Sequence, residues 1–308
     1  MCSVGELLKT FYKTPGKLMI AGLVSWDLVA KRDNNPSKKT HPNLYTFHKF
    51  TDIKYKLIIS GCSAGHSILI SEDGEAYTFG MAELLWPTWF GDTTTRNVPE
   101  PVPDLEGFNI IHAAVGRNHS LFVTDTGTVY ACGDNKSGQC GLGHTTPSIL
   151  KPTRLRYTGA QIVKVGCGAE FSMILDCNGA LHSFGLPEYG QLGHNTDGKY
   201  FVTSTKLSYH FETVPKQVGF FYEKSKEGHV TPIKDVTVVD FSCGNNHTVA
   251  IDSRKRAFSW GFGGFGRLGH AEQKDESVPR LIKYFDSSAR GVRAVYCGAT
   301  YSLAVNEL

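Results

Sequence analysis

Histidine is the side chain best suited to acid–base chemistry near neutral pH, and six of the twelve histidines fall at two repeated positions of this sequence. The first position usually follows a Gly-x-x pattern, and the second ends a Leu-Gly-His motif. A catalytic histidine is usually unique in its chain, so copies in register indicate a structural hydrogen-bonding role. No carboxylate pair or nucleophile–base set stands outside this periodicity, and we predict no catalytic residue. The six are His66, His119 and His247 at the first position, and His144, His194 and His270 at the second.

Cysteine offers nucleophilic, redox and metal-binding chemistry, and the chain has eight cysteines. The sequence lacks a Cys-x-x-Cys motif and any Cys/His set at metal-ligand spacing. We therefore predict small, buried, reduced cysteines, with no metal and no cofactor. Four of them share one position of the repeat described below: Cys62, Cys167, Cys243 and Cys297.

Residues 261–266 read Gly-Phe-Gly-Gly-Phe-Gly, which satisfies the dinucleotide-binding pattern Gly-x-Gly-x-x-Gly. A dinucleotide site also needs a helix directly after the glycines, because the helix N-terminus binds the pyrophosphate. Here the next residues are Arg-Leu-Gly-His and an edge strand. We interpret the motif as a structural loop.

The histidines, cysteines and glycines described above belong to a sequence repeat, and this repeat predicts the secondary structure that positions them. The first histidine position aligns five anchors, separated by 53, 52, 76 and 54 residues. A glycine stands fourteen residues after each of the first four anchors. A period near 50 residues is typical of repeated supersecondary units. The anchors are His66, His119, Phe171, His247 and Tyr301.

Each repeat has the pattern of four β-strands. Residues 120–131 alternate in polarity around a turn at Gly127, as in a β-hairpin. Gly74 and Gly179 occupy the same turn position, where positive φ is needed, whereas Lys255 in the fourth copy predicts a different turn. A β-branched run before the anchor and a proline-containing edge segment after the closing glycine add two more strands. We predict an all-β chain folded as a β-propeller of four-stranded blades.

The Gly-x-x-His, aromatic-Gly and Gly-Gln-Leu-Gly-His elements together resemble the regulator of chromosome condensation repeat family. The resemblance covers roughly residues 17–308 and is most specific at 167–174, 187–194 and 259–276. It implies a seven-bladed propeller, of which this chain supplies about five blades.

Composition favours a single globular domain. With 308 residues, 41% of them hydrophobic, and an unbroken period, we predict a short extension at residues 1–16 and one propeller at residues 17–308. The net charge of +3 gives no global field that would attract nucleic acid. The longest early apolar run, residues 18–24, is too short to cross a membrane. We predict no transmembrane segment and no small-molecule substrate.

The third period is more than 20 residues longer than its neighbours, because of a loop insertion at about residues 200–235. A lone insertion in a regular array usually projects from one rim, where binding residues collect. The resemblance implies that the most loop-like part, residues 222–232, holds a Rac-type small GTPase; the alternative is a solvated hairpin without a partner. The predicted GTPase-binding residues are Tyr222, Glu223, Lys224, Ser225, Lys226, Glu227, Gly228, His229 and Val230.

Residues 81–90 replace the expected glycine-rich loop of the second repeat with bulky apolar side chains. Exposed aromatic residues often mark a partner-binding patch. Local packing against the flanks of the blades is the alternative. The residues of this possible patch are Leu84, Leu85, Trp86, Trp89 and Phe90.

The two ends of the repeat array decide whether the blades can close into a ring. Residues 31–56 read as a polar, loop-rich first blade, and the last anchor, Tyr301, leaves its blade short of strands. The segment Lys17–Gly22 has the character of the strand that the last blade lacks. Closing five blades would raise the rotation per blade from about 51° to about 72°. We therefore favour an open array with unpaired edges over a closed ring of five.

The resemblance implies a regulatory protein without covalent catalysis. Its expected partners are Rac- and Ral-type small GTPases, with exchange activity on the Ral type and restraint of the Rac type, in mitosis and cytoskeletal control. The alternative is an adaptor that binds chromatin, including the centromere, or microtubules. The implied locations are the nucleus, with nucleolus and centromere, the cytoplasm, and the cytoskeleton or spindle.

Overall fold

The computed structural model describes residues 14–22, 44–80, 96–286 and 290–306. Over these residues the chain forms β-strands and two 3-10 turns, Gly264–Gly266 and Lys283–Phe285. The first nine strands are β1 (Gly16–Gly22), β2 (Leu44–Ser60), β3 (His66–Ser71), β4 (Ala76–Gly80), β5 (Arg96–Pro101), β6 (Ile110–Val115), β7 (His119–Thr124), β8 (Val129–Asn135) and β9 (Thr146–Arg154). The next eight are β10 (Ile162–Cys167), β11 (Phe171–Asp176), β12 (Leu181–Gly185), β13 (Lys199–Thr203), β14 (Lys206–Tyr209), β15 (Glu212–Gln217), β16 (Phe221–Lys224) and β17 (Val230–Ile233). The last six are β18 (Val238–Cys243), β19 (His247–Asp252), β20 (Ala257–Gly261), β21 (Glu276–Leu281), β22 (Val292–Cys297) and β23 (Ser302–Asn306).

The strands form successive sheets, which we call blades one to five. Blade one has the order β1-β2-β3-β4-β5, blade two β6-β7-β8-β9, and blade three β10-β11-β12-β15. Blade four has the order β18-β19-β20-β21 and is extended by β16 and β17, while β22 and β23 form blade five. The predicted all-β blade architecture is confirmed.

A separate hydrophobic core fills each interface between neighbouring blades. Between blades one and two, for example, Ile68 and Ile70 pack with Phe122. Strands β7, β11 and β19 are buried at every position because a blade covers each of their two faces. The middle strands are therefore rich in apolar residues, and each begins at an anchor position of the repeat.

The Gly-x-x-His spacing follows from the loop between the first two strands of a blade. The His119 ring lies directly over Gly116, where a Cβ would stand 2.4 Å from Nδ1. A Cβ at Gly244 would meet His247 Nδ1 at the same distance. A side chain at Gly116 or Gly244 would therefore clash with the ring of the histidine three residues later.

The hairpin turn of blade four corrects one prediction. Lys255 takes φ of +63°, close to the +76° of Gly127, and its amide likewise donates to the carbonyl three residues earlier, that of Asp252. The Asp252 carboxylate also accepts the amides of Arg254 and Arg256. These bonds offset the cost of a left-handed lysine, which is about 1–2 kcal/mol. The prediction of a different turn was wrong.

The pairing of β1 differs from what the sequence predicted for this end of the chain. β1 pairs antiparallel with β2, from Gly16 opposite Tyr55 to Gly22 opposite Leu44. Among the described strands β1 pairs with β2 and lies at the edge of blade one, so the structure does not show Lys17–Gly22 paired with the last blade. Residues 44–56, predicted as loop-rich, belong to the long strand β2. The predicted boundary at residue 16 stays a prediction.

Candidate functional site

The insertion of blade three forms two hairpins, whereas the sequence predicted one loop. The β13–β14 hairpin interrupts the connection between the third and fourth strands of the blade, and the β16–β17 hairpin follows the fourth strand. Because β12 and β15 are antiparallel, these two connections lie at opposite ends of the blade. The insertion therefore presents two separate surfaces.

The base of the β16–β17 hairpin is part of blade four. β16 runs parallel to β21, with Tyr222 opposite Arg280. Phe221 packs edge-on against Phe258 at 5.1 Å between ring centroids. Tyr222 is only 7% exposed, and its hydroxyl donates to the Glu276 carboxylate. Tyr222 is therefore buried at the edge of blade four, and its predicted contact with a GTPase stays a prediction.

Lys224 is also engaged by blade four. Its ammonium lies 3.8 Å from a carboxylate oxygen of Glu272, which Arg280 and Lys274 also contact. The hydrogen bond from Arg280 is the main cause of the lowered pKa of Glu272. Arg280 also donates to Glu276 at 2.7 Å. This network holds the hairpin base against the outer strand, so Lys224 is less available to a partner than the tip.

The exposed part of the predicted site is the tip, residues 225–229. The Ser225 amide donates to the His229 carbonyl at 2.8 Å, and the Ser225 hydroxyl accepts the amides of Glu227 and His229. Gly228 completes the turn with φ of +89°. The side chains of Lys226, Glu227 and His229 are exposed, as is Val230, while Glu223 and Ser225 are half-buried. We call residues 225–229 the hairpin tip.

Sequence reasoning missed the β13–β14 hairpin as a separate surface. All five residues of β13 are exposed, and Phe201 is 72% exposed opposite Leu207. The hairpin is fixed at its base, where the Tyr209 hydroxyl donates to Glu188 at 3.0 Å. The signal in the sequence is the pair of short strand-like runs on either side of Ser204.

The repeated histidines confirm the predicted structural role. His119 Nε2 lies 2.9 Å from the hydroxyl of Ser172 in the next blade, and that hydroxyl donates to the Gln139 carbonyl. Nε2 must therefore carry the proton and donate. His247 makes the same bond to Ser302, at 3.0 Å. Burial lowers the pKa of His119 to about 3 and that of His247 to about 4, so both are neutral at physiological pH.

These histidines predict an acid-sensitive fold. An unfolded histidine has a pKa near 6.5, so below that pH the unfolded chain binds protons that the folded chain does not bind. The free energy of unfolding should fall as the pH drops from about 6.5 to about 4, by on the order of 3 kcal/mol for each of the two histidines. Urea unfolding at pH 7.5, 6.0 and 5.0 measures this slope. A His119→Phe variant, which copies Phe171 of the third repeat, should show a smaller slope; an unchanged slope would contradict the assignment.

The cysteines are free thiols wherever the structure describes them. Burial raises the pKa of Cys167 to about 12 and that of Cys297 to about 11, so these thiols stay protonated. Cys62 is exposed, which corrects the prediction of a buried side chain, because it lies in the loop between β2 and β3. Within the described ranges no group of His, Cys, Asp and Glu side chains could hold a metal ion.

The glycine-rich segment 261–266 does not lead into an α-helix. It runs into the 3-10 turn Gly264–Gly266 and then, through residues 267–275, to β21. The interpretation as a structural loop is confirmed. Over the described part of the chain no helix is long and apolar enough to span a membrane. The possible partner patch at residues 84–90 lies outside the described residues.

The sequence comparison identifies the domain type. A family profile described as "RCC1-like domain" matches residues 9–304. Protein RCC2 of Homo sapiens is 45% identical over 303 residues, covering 96% of this chain and 58% of the relative. Protein RCC2 homolog of Xenopus laevis is also 45% identical over 303 residues, covering 96% of this chain and 59% of the relative. The chain thus spans less than two thirds of these relatives.

The structural comparison agrees on the fold. The crystal structure of Prp20p from Saccharomyces cerevisiae superposes with a TM-score of 0.70 at 21% identity, covering 87% of this chain and 60% of that one. At this identity the likeness establishes the β-propeller fold alone.

Proposed function

The chain belongs to the RCC1-like domain family, and from that premise we propose that it is a regulatory β-propeller that binds a Ras-superfamily small GTPase through the hairpin tip. The observation that supports this proposal most is the contrast between the two parts of the β16–β17 hairpin. Its base is held by blade four through Tyr222 and Lys224, while Lys226, Glu227 and His229 point into solvent. A rigid base lowers the entropy lost when the tip binds.

A relative supports the choice of partner class. The structure of Prp20p was described together with its binding properties to Gsp1p and histones. For this chain we propose the finer assignment that the sequence resemblance implied: exchange activity on a Ral-type GTPase and restraint of a Rac-type one, in mitosis and cytoskeletal control. We also propose that the protein works in the nucleus, including nucleolus and centromere, and at the cytoskeleton or spindle.

Such activity needs no covalent step. An exchange factor binds the nucleotide-free GTPase more tightly than the nucleotide-bound form and shifts the equilibrium by that difference in affinity. A restrainer binds one nucleotide state and keeps it from its other partners. The tip carries a positive charge at residue 226, a negative charge at residue 227 and an imidazole at residue 229. These groups suit a polar GTPase surface.

Release of a fluorescent GDP analogue from Ral-, Rac- and Ran-type GTPases tests this proposal. We expect acceleration with the Ral type, and binding without acceleration with the Rac type. Excess unlabelled nucleotide without the protein gives the intrinsic rate. Absence of binding to all three GTPases in a pull-down would contradict the proposal.

A second candidate function is a chromatin or microtubule adaptor without exchange activity. Exposed basic residues favour it: Arg254, Lys283 and Arg290 form no ion pair with any carboxylate that the structure describes. Binding to nucleosomes or DNA that falls steeply with rising salt would support this adaptor. Binding to a GTPase that accelerates nucleotide release would exclude it as the sole function.

A further inference from the structure

A cleft of about 160 Å³ opens between blades two and three. It lies at the end of the blades where the second strand turns into the third, which is also the end that carries the β16–β17 hairpin. Its lining includes the polar residues Thr126, Thr128, Arg154, Tyr157 and Gln161.

The floor of the cleft is apolar. It is made by Val129, Leu155 and Ile162, which are at most 4% exposed and belong to the core between blades two and three. A ligand that fills the cleft therefore meets hydrocarbon at its inner end and polar groups at its outer end. Such a cleft suits a short apolar stem that carries a polar head group.

Arg154 sets the charge of that head group. Its side chain is exposed and forms no ion pair with any carboxylate in the described ranges. Arg117, Arg256 and Arg280, by contrast, all contact carboxylates. Asp176, which is buried, accepts the Tyr157 hydroxyl at 3.2 Å. The cleft thus presents one uncompensated positive charge.

The repeat shows what is particular to this cleft. At the two turn positions that hold Thr126 and Thr128 in blade two, blade one has Asp73 and Glu75, and blade four has two arginines. The acids of blade one would repel an anion, and Arg256 of blade four is paired with its own turn aspartate. In blade two the threonines carry no charge, and their hydroxyls are hydrogen-bonded within the turn, that of Thr126 to Thr124 at 2.8 Å and to Thr128 at 3.3 Å.

We propose that this cleft binds a carboxylate on a short apolar stem. Arg154 would pair with the carboxylate through two parallel N–H···O bonds, a geometry that suits guanidinium. The stem would rest on Leu155 and Ile162. One cation matches a monoanion, whereas a phosphate dianion would leave a negative charge beside Asp176. The source is either a small free acid or the C-terminal residue of a peptide.

Butyrate is the first probe ligand, and butyramide, its uncharged analogue, is the control. Titration followed by amide NMR should shift the signals of Thr128 and Ile162 with butyrate and leave them in place with butyramide. Arg154→Gln should weaken butyrate binding by about tenfold or more, since a hydrogen bond to a charged group is lost. Arg156→Gln is the matched control, because Arg156 is also exposed but lies against Gly143, outside the cleft.

Equal binding of butyrate and butyramide, equal losses in the two arginine variants, or no shift of the cleft signals would each overturn the proposal. A tetrapeptide that ends in valine, compared with its C-terminal amide, separates the two sources. Tighter binding of the peptide acid than of butyrate supports a protein C-terminus, and tighter binding of butyrate supports a small free acid. Neither result depends on GTPase binding.

Discussion

Replacing Trp260 with alanine is expected to lower the free energy of unfolding by about 3–5 kcal/mol, the largest loss of stability that we predict for one residue. Trp260 is fully buried in the core between blades three and four, where it packs with Leu192 and Val218. Its indole N–H donates to the Gln191 carbonyl of blade three at 2.9 Å. Truncation leaves a cavity and an unpaired carbonyl at the same interface.

Urea unfolding followed by far-UV circular dichroism measures this loss. Trp260→Phe should cost less than Trp260→Ala, because the ring fills most of the space while the Gln191 carbonyl loses its donor. Phe201→Ala is the control on an exposed aromatic residue and should change stability by no more than about 0.5 kcal/mol. A loss below about 1 kcal/mol in Trp260→Ala would show that the blades do not depend on each other's packing.

The blade architecture could be predicted from the sequence because its determinants are local and repeated. Gly116 and His119 show this: the ring lies over the glycine three residues earlier, and Gly244 and His247 repeat the arrangement in blade four. The turn at Gly127 is also determined locally, because glycine adopts its φ of +76° at little energetic cost. A pattern repeated five times in register also leaves little freedom for another fold.

The details of the candidate site could not be predicted, because they depend on contacts between distant residues. The sequence around Tyr222 indicates a loop. In the structure Tyr222 is buried, and its backbone pairs with that of Arg280, 58 residues later in the chain. Lys255 looked incompatible with a tight turn, yet the Asp252 carboxylate holds the turn in place. In each case the sequence shows that both residues are present, but it does not show that they lie close together in the fold.

Replacing Lys226, Glu227 and His229 together with serine is expected to weaken capture of the partner GTPase by about tenfold to a hundredfold. These three side chains are the exposed charged or titratable groups of the hairpin tip. The triple variant keeps Ser225 and Gly228, whose hydrogen bonds and positive φ define the turn. Stability should therefore stay within about 0.5 kcal/mol of the parent.

A larger replacement would be a poorer test of the same idea. Exchanging the whole segment 222–231 for a flexible linker would also remove Tyr222 from blade four and break its hydrogen bond to Glu276. Loss of capture could then reflect loss of the blade edge. Lys224→Ser isolates the hairpin base, because it removes the ion pair with Glu272 and leaves the tip intact. We expect a smaller loss of capture from Lys224→Ser than from the triple variant.

The β13–β14 hairpin supplies the matched control for the tip. A variant with Phe201→Ser and Lys206→Ser also removes exposed side chains from an inserted hairpin, but at the opposite end of blade three. Pull-down of each variant with nucleotide-free and GDP-loaded GTPase compares the two ends directly. If the tip carries the contact, the control captures the GTPase as well as the parent does. If capture is lost in the control and kept in the triple variant, the contact lies on the β13–β14 hairpin and the assignment to the tip is wrong.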